Sequence, residues 1–240
     1  QYIGRNFKVG PDGTLWAATY WTGLNPKNGA FSPYADTFVL NSTDNGHSWT
    51  LQGHLPYIPD NTEYEYAFMA GGYDEPALEF MPDGSMIMLL RVTDVFRGDK
   101  EWAPSYITRS TDNGKTWSEP WKAFTQWEGR PISECAKLTC LPDGRLLLLG
   151  YAFYRDNPNL PLGNAQTGGL LEDFVFWAES SDDGKTWSQM HSIPNTWNGH
   201  TEASAPITVL HDGSWAAPIT GFPTWEGEKV SKDCGRILCS

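Results

Sequence analysis

Basic residues are few and scattered: 17 Lys and Arg stand against 29 Asp and Glu in 240 positions, a formal charge of −12. A phosphate-binding surface needs clustered cations, so this balance argues against a nucleic-acid partner. Charge of either sign is thin at 19% of residues, unlike a disordered chain or a coiled coil. No apolar run approaches the ~20 residues that span a bilayer, so no membrane span is expected. The chain opens at Gln1 without a Met, basic segment and apolar stretch, so no signal peptide is visible. Cysteine is limited to Cys135, Cys140, Cys234 and Cys239, two C-x4-C pairs rather than the tighter C-x2-C of zinc sites. Residues five apart on a strand face opposite sides, so neither pair closes on itself easily. Isolated thiols or one cross-strand disulfide are the expectation, with the redox compartment undecided. No His, Asp and Glu spacing matches a strong metal motif, and no cofactor is called for.

Aromatic residues and turn formers are plentiful: 12 Trp, 24 Gly and 17 Pro. This is the profile of a turn-rich β protein. Two short elements alternate along it. S-x-D-x-G-x-[ST]-W begins at Ser42, Ser110 and Ser180, spaced by 68 and 70 residues. Between its copies come apolar runs broken by an Asp-Gly turn, at Asp12-Gly13, Asp83-Gly84, Asp143-Gly144 and Asp212-Gly213. An Asp-Gly pair flanked by alternating apolar residues signals a hairpin. The first element also follows strand-like runs, "TFVLN", "SYITR" and "FVFWAE". One period thus holds four antiparallel strands, the unit of a β-propeller blade. The expectation is all-β, a single partial propeller domain over 1–240 with blades near 5–56, 75–122, 134–193 and 202–240, the last incomplete. Its open edge strand offers a pairing surface for a second copy, so homo-oligomerisation is a further expectation.

In an up-and-down blade the Asp-Gly hairpins and the S-x-D-x-G turns fall at one end. The long connections fall at the other, where function is expected. Those connections hold aromatics suited to stacking on sugar rings, among them Tyr73 and Trp127, and carboxylates suited to acid, base or nucleophile work. Glu75, Glu134 and Glu202 recur 8, 9 and 10 residues before the Asp of their Asp-Gly turns. That spacing sets each at the start of its innermost strand, and clustered carboxylates raise one another's pKa as general acids require. Their other role would be to cap loops by accepting backbone N–H bonds. His200 lies between Gly199 and Glu202 in such a connection, as a substrate contact or as a catalytic group.

The repeated S-x-D-x-G-x-T-W element resembles the Asp-box of the sialidase superfamily, and the likeness runs along essentially the whole chain. It implies a six-bladed propeller, of which about 3.75 blades are encoded here, and hence a partial sequence. It also implies a glycan substrate, and a secreted or periplasmic location is favoured. The stretch "DEPALEFMPDGSMIMLLR", Asp74–Arg91, is similar to the sialidase segment in which a Glu opens one inner strand and an Arg closes the next. By that resemblance Glu75 would polarise a tyrosine nucleophile and Arg91 would clamp the substrate carboxylate, for which a planar guanidinium is suited. The family's other arginines map onto Arg5, which lacks the family's proline, and onto Arg155, which is out of register. Its acid/base aspartate maps onto Asp36, and its tyrosine nucleophile onto a serine, Ser204. The functional expectation is a glycoside hydrolase acting on terminal sugars, with sialic acid one substrate among several. A glycan- or protein-binding propeller without catalysis is the alternative, and a purely structural repeat module a third.

Overall fold

The computed structural model describes residues 2–25, 28–59, 71–92, 105–123, 130–157, 160–195, 199–203, 205–228 and 235–239, with backbone only for 2–6, 236 and 238. The described residues form strands and turns without a helix, and none is part of a helix long and apolar enough to cross a membrane. The strands make four antiparallel sheets. The first runs β1 (Tyr2–Val9), β2 (Leu15–Leu24), β3 (Phe31–Ser42) and β4 (Thr50–Leu55) in sequential order. The second repeats that order with β5 (Tyr73–Phe80), β6 (Met86–Val92), β7 (Tyr106–Ser110) and β8 (Trp121–Lys122). The third follows with β9 (Ile132–Cys140), β10 (Leu146–Tyr154), β11 (Asp173–Ser180) and β12 (His191–Ile193). In the fourth, β13 (His200–Glu202) and β14 (Thr208–Val209) both pair with β15 (Trp215–Phe222), as does β16 (Gly235–Cys239). Contacts divide the chain into two compact units, one holding β1 to β8 and the other β9 to β16.

The local chemistry of each turn explains the regularity. At Asp12-Gly13, the Gly13 amide donates to the Gly10 carbonyl at 3.0 Å and the Gly10 amide donates to the Thr14 carbonyl at 2.8 Å. Gly13 sits at φ 82, where a side chain would be strained, and the Asp12 carboxylate accepts the Thr14 amide. The same bonding recurs at Met81–Ser85 and Leu210–Ser214. The Thr14 amide and hydroxyl at Asp12, and the Ser85 and Ser214 hydroxyls with their amides at Asp83 and Asp212, hold these carboxyls below the usual carboxylate range.

The S-x-D-x-G turns are closed by side chains. Ser110 Oγ donates to Asp112 Oδ1 at 2.9 Å and accepts the Gly114 amide at 2.9 Å. Asp112 then accepts both the amide and the hydroxyl of Thr116, at 2.9 and 2.6 Å. Ser42 to Ser48 and Ser180 to Thr186 repeat this bonding. The hydroxyl and amide of residue 116 and the Ser110 hydroxyl bring Asp112 down to about 2. Two consecutive residues at each tip adopt positive φ: Asn45 with Gly46, Asn113 with Gly114, and Asp183 with Gly184. Asn and Asp tolerate that conformation better than other L-residues, which accounts for the first tip position.

In the first unit the core fills the space between its two sheets, with Trp16, Val39, Met86, Met88 and Leu90 at its centre. The tip of the Ser110–Trp117 turn reaches into the first sheet. A Cβ on Gly114 would lie 3.3–3.5 Å from Met86 Sδ, Val39 Cγ1 and Trp16, and one on Gly53 would lie 1.8 Å from the Gly114 carbonyl oxygen. In the second unit Leu147, Leu149, Phe153, Val175, Ile207 and Ile219 form the corresponding core. β6 and β10 are buried almost throughout, as unbroken apolar runs covered on both faces should be.

Candidate functional site

The inner strands of the first two sheets carry extra residues near their long-loop ends, whereas β9 pairs with β10 in unbroken register. In the first sheet Ile3 faces Thr19 and Phe7 faces Ala17, so three residues of β1 face one of β2. In the fourth, Glu202 faces Thr220 and Thr208 faces Ala216, in the two separate strands β13 and β14. The most informative case lies in the second sheet. Asp74 faces Arg91 and Ala77 faces Leu89, so Glu75 and Pro76 together face Leu90. Proline lacks the N–H that a regular ladder would use, and a bulge is where a strand accepts one. A bulge also re-aims the side chain it carries, and bulges gather beside active sites.

Glu75 sits at φ 41, an unfavourable backbone region for a residue with a side chain. It also precedes a proline, which pushes its neighbour toward extended backbone instead. Its Oε1 accepts a hydrogen bond from Arg91 Nη1 at 2.9 Å, with 16% and 18% of the two side chains exposed. A strained glutamate, held by a guanidinium and still open to solvent, is equipped to meet a ligand. Behind it lies an aromatic cluster. Tyr73 is only 6% exposed, edge-on to Tyr57 at 4.8 Å and to Tyr106 at 5.9 Å. Burial, with Tyr106 alongside, pushes the Tyr57 and Tyr73 phenols above their ordinary range. Tyr73, expected as a sugar contact, is therefore a core side chain.

Asp36 is buried as well. It lies within β3, and its buried carboxylate receives the Tyr57 amide at 3.0 Å on Oδ1 and meets His54 Nε2 at 2.9 Å on Oδ2. Its oxygens bond to β4 and to the segment after it.

In the second unit Glu134 is buried on β9, opposite Ala152 of β10. Arg155 is 4% exposed; its amide donates to the Pro131 carbonyl and its Nη2 to the Leu160 carbonyl at 3.2 Å. It braces the connection after β10. Glu202 and His200 are half-buried on β13. His200 Nδ1 lies 2.9 Å from Asp173 Oδ1, and the Asp173 carboxylate also accepts the Thr201 amide, at 3.2 Å on Oδ2. Burial pushes the Asp173 carboxyl up, while His200 and the Thr201 amide pull it back.

Sequence reasoning places Asp173 among the carboxylates of the connection after β10 without giving it a role of its own; it stands seven residues before Ser180 as Ala35 stands before Ser42. Sequence reasoning did not single out Arg130, whose guanidinium lies 3.6 Å above the Tyr154 ring and pairs through both Nε and Nη2 with Asp156. The Arg5 side chain, Trp127, Ser204 and Cys234 lie outside the described residues. No disulfide joins Cys135, Cys140 or Cys239 to another among the described residues. Among the described residues no three His, Cys, Asp or Glu side chains cluster as metal ligands would.

No protein-family model and no curated protein sequence matches the chain. Solved structures do. An α-L-arabinanase of Penicillium chrysogenum, complexed with arabinobiose, is similar with a TM-score of 0.61 and 17% identity over 98% of this chain and 61% of that one. An ulvan lyase, a polysaccharide lyase, gives 0.58 and 12% over 98% and 54%. A Hadza microbial sialidase gives 0.50 and 17% over 86% and 45%. The chain therefore spans about three-fifths of the arabinanase's length, about half of the lyase's and less than half of the sialidase's. At these identities the likeness is one of fold. The chain is an all-β protein of the β-propeller class, built from four-stranded antiparallel sheets. That class houses enzymes acting on carbohydrates by different reactions, so the chemistry has to be argued from the side chains.

Proposed function

We propose that the chain is the β-propeller of a glycan-acting glycoside hydrolase, with Glu75 as a reacting carboxylate and Arg91 as the group that holds it and contacts the sugar. The observation that carries this reading is the bulge at Glu75-Pro76, which keeps a glutamate at φ 41 against Arg91. Backbone strain of this kind persists where the surrounding structure over-determines it, and it gathers at functional positions. Fold kinship with an arabinanase and a sialidase supports a sugar substrate. Glycoside hydrolysis uses a second carboxyl group in addition to Glu75.

Sialic acid is not the first substrate to try. Its carboxylate calls for a cluster of arginines, whereas Arg91 is engaged with Glu75 and Arg155 is buried against Leu160. A net charge of −12 also repels anionic sugars at long range. Neutral terminal sugars, pentofuranosides included, come first.

The test is a panel of 4-nitrophenyl glycosides that includes an α-L-arabinofuranoside and an α-sialoside, with wild-type protein and Glu75→Gln. The expected result is turnover of at least one glycoside, reduced about 10³-fold or more by the substitution, with the melting temperature held within a few degrees. Wild-type kcat in Glu75→Gln would remove Glu75 from the reaction.

A further inference from the structure

The molecule holds two histidine–aspartate pairs with different surroundings. His54, on the outermost strand of the first sheet, has both ring nitrogens engaged. Nε2 meets Asp36 at 2.9 Å, the Asn25 amide nitrogen lies 3.2 Å from Nδ1, and the ring stacks flat on Phe38 at 4.6 Å. Such a histidine is a structural strut. His200 sits at the start of an innermost strand, with Nδ1 against Asp173, and among the described residues Nε2 has no hydrogen-bond partner. The Asp173 side chain is 1% exposed and that of His200 15%.

The pair is more than a joint between β11 and β13. The Asp173 carboxylate already makes that joint through the Thr201 amide. At the matching position of the first unit, Ala35 closes the junction by donating its own amide to the Gly71 carbonyl at 2.7 Å, without an imidazole. What His200 adds is chemical. An ionised carboxylate on Nδ1 fixes the Nδ1–H tautomer and leaves the Nε2 lone pair to accept a proton. Glu202 lies two residues on, so it shares the strand face of His200, while the Thr201 side chain turns to the opposite, buried face.

We propose that His200 is a proton-transfer residue of the second unit, with Asp173 as the residue that positions it. Nε2 takes a proton from a hydroxyl of bound sugar or from water. The O–H bond breaks, the N–H bond forms, the electron pair stays on oxygen, and the Asp173 carboxylate balances the imidazolium charge. The class of substrate rests on the glycan-acting reading; the assignment of the imidazole rests on its own geometry.

The test uses the 240-residue protein labelled with ¹⁵N-histidine, in which His200→Gln identifies the His200 signals. Multiple-bond ¹H–¹⁵N spectra of wild type are expected to show His200 as the Nδ1–H tautomer. In Asp173→Asn the population should move toward Nε2–H, and Asp173→Glu should restore it in part. With the best glycoside of the panel, His200→Gln should lower kcat about 100-fold or more while KM changes less than threefold. An Nε2–H tautomer in the wild type overturns the assignment, as does wild-type kcat in a folded His200→Gln protein. Failure of the hydrolase reading appears separately, as a wild type that turns over no glycoside yet keeps the Nδ1–H tautomer.

Discussion

Replacing Glu75 by glycine and, separately, by alanine isolates the strain at the bulge. Both substitutions remove the carboxylate that meets Arg91, so the loss of that ion pair cancels when the two variants are compared. What differs is the backbone. At φ 41 a residue with a Cβ pays about 1–2 kcal/mol that glycine avoids. Glycine in turn loses more freedom on folding, about 0.5–1 kcal/mol in an ordinary strand. The difference leaves Glu75→Gly more stable than Glu75→Ala by about 0.75 kcal/mol, which reverses the usual order within a strand. For a chain of this size that amounts to about 2 °C in melting temperature. Differential scanning calorimetry on the pair, with urea titration as a second probe, resolves such a gap. An alanine variant as stable as the glycine variant, or more so, refutes the strain on which the assignment of Glu75 rests.

Two further predictions concern the turns. Gly53→Ala places a Cβ 1.8 Å from the Gly114 carbonyl oxygen, and because both groups are backbone a sheet must move. The expected cost is about 3 kcal/mol, read as a lowered melting temperature; a melt within 2 °C of wild type would contradict the contact. Asp112 titrates at about 2 in the folded protein because the Thr116 hydroxyl and amide donate to its carboxylate. A depressed pKa adds stability above the unfolded value of about 3.9 and loses it as pH falls toward 2. The urea midpoints of wild type and Asp112→Asn should therefore differ at pH 5 and converge by pH 2, and a gap unchanged with pH refutes the bonding.

The repeated turns were legible in the residues because their conformation is decided locally. Ser110, Asp112, Gly114 and Thr116 bond to one another within seven positions, so the motif and its geometry are nearly the same statement. The candidate site is not local in this sense. Nothing in "DEPA" announces that Glu75 and Pro76 share one partner across the ladder, although the proline is a flag once the strand is known. Asp36 reads as a loop carboxylate until β3 is seen to begin at Phe31, and its partners His54 and Tyr57 stand 18 and 21 residues away. Arg155 and Tyr73 read as surface groups for the same reason: their burial is set by elements distant in the chain. Asp173 reads from the sequence as one loop carboxylate among several, and the imidazole it meets lies 27 residues further on.

The seating of Gly114 against Gly53 has a consequence for how the first unit can vary. Two backbones in direct contact act as a gauge, and the gap between the first two sheets is set at the short-turn end of the strands. Changes in the length or composition of the connections at the opposite end leave that gap untouched. The bulge at Glu75 and Pro76 lies at the other end of its strand from that contact. New substrate preferences in such a scaffold would arise by altering where the inner strands begin, while the S-x-D-x-G turns stay as they are.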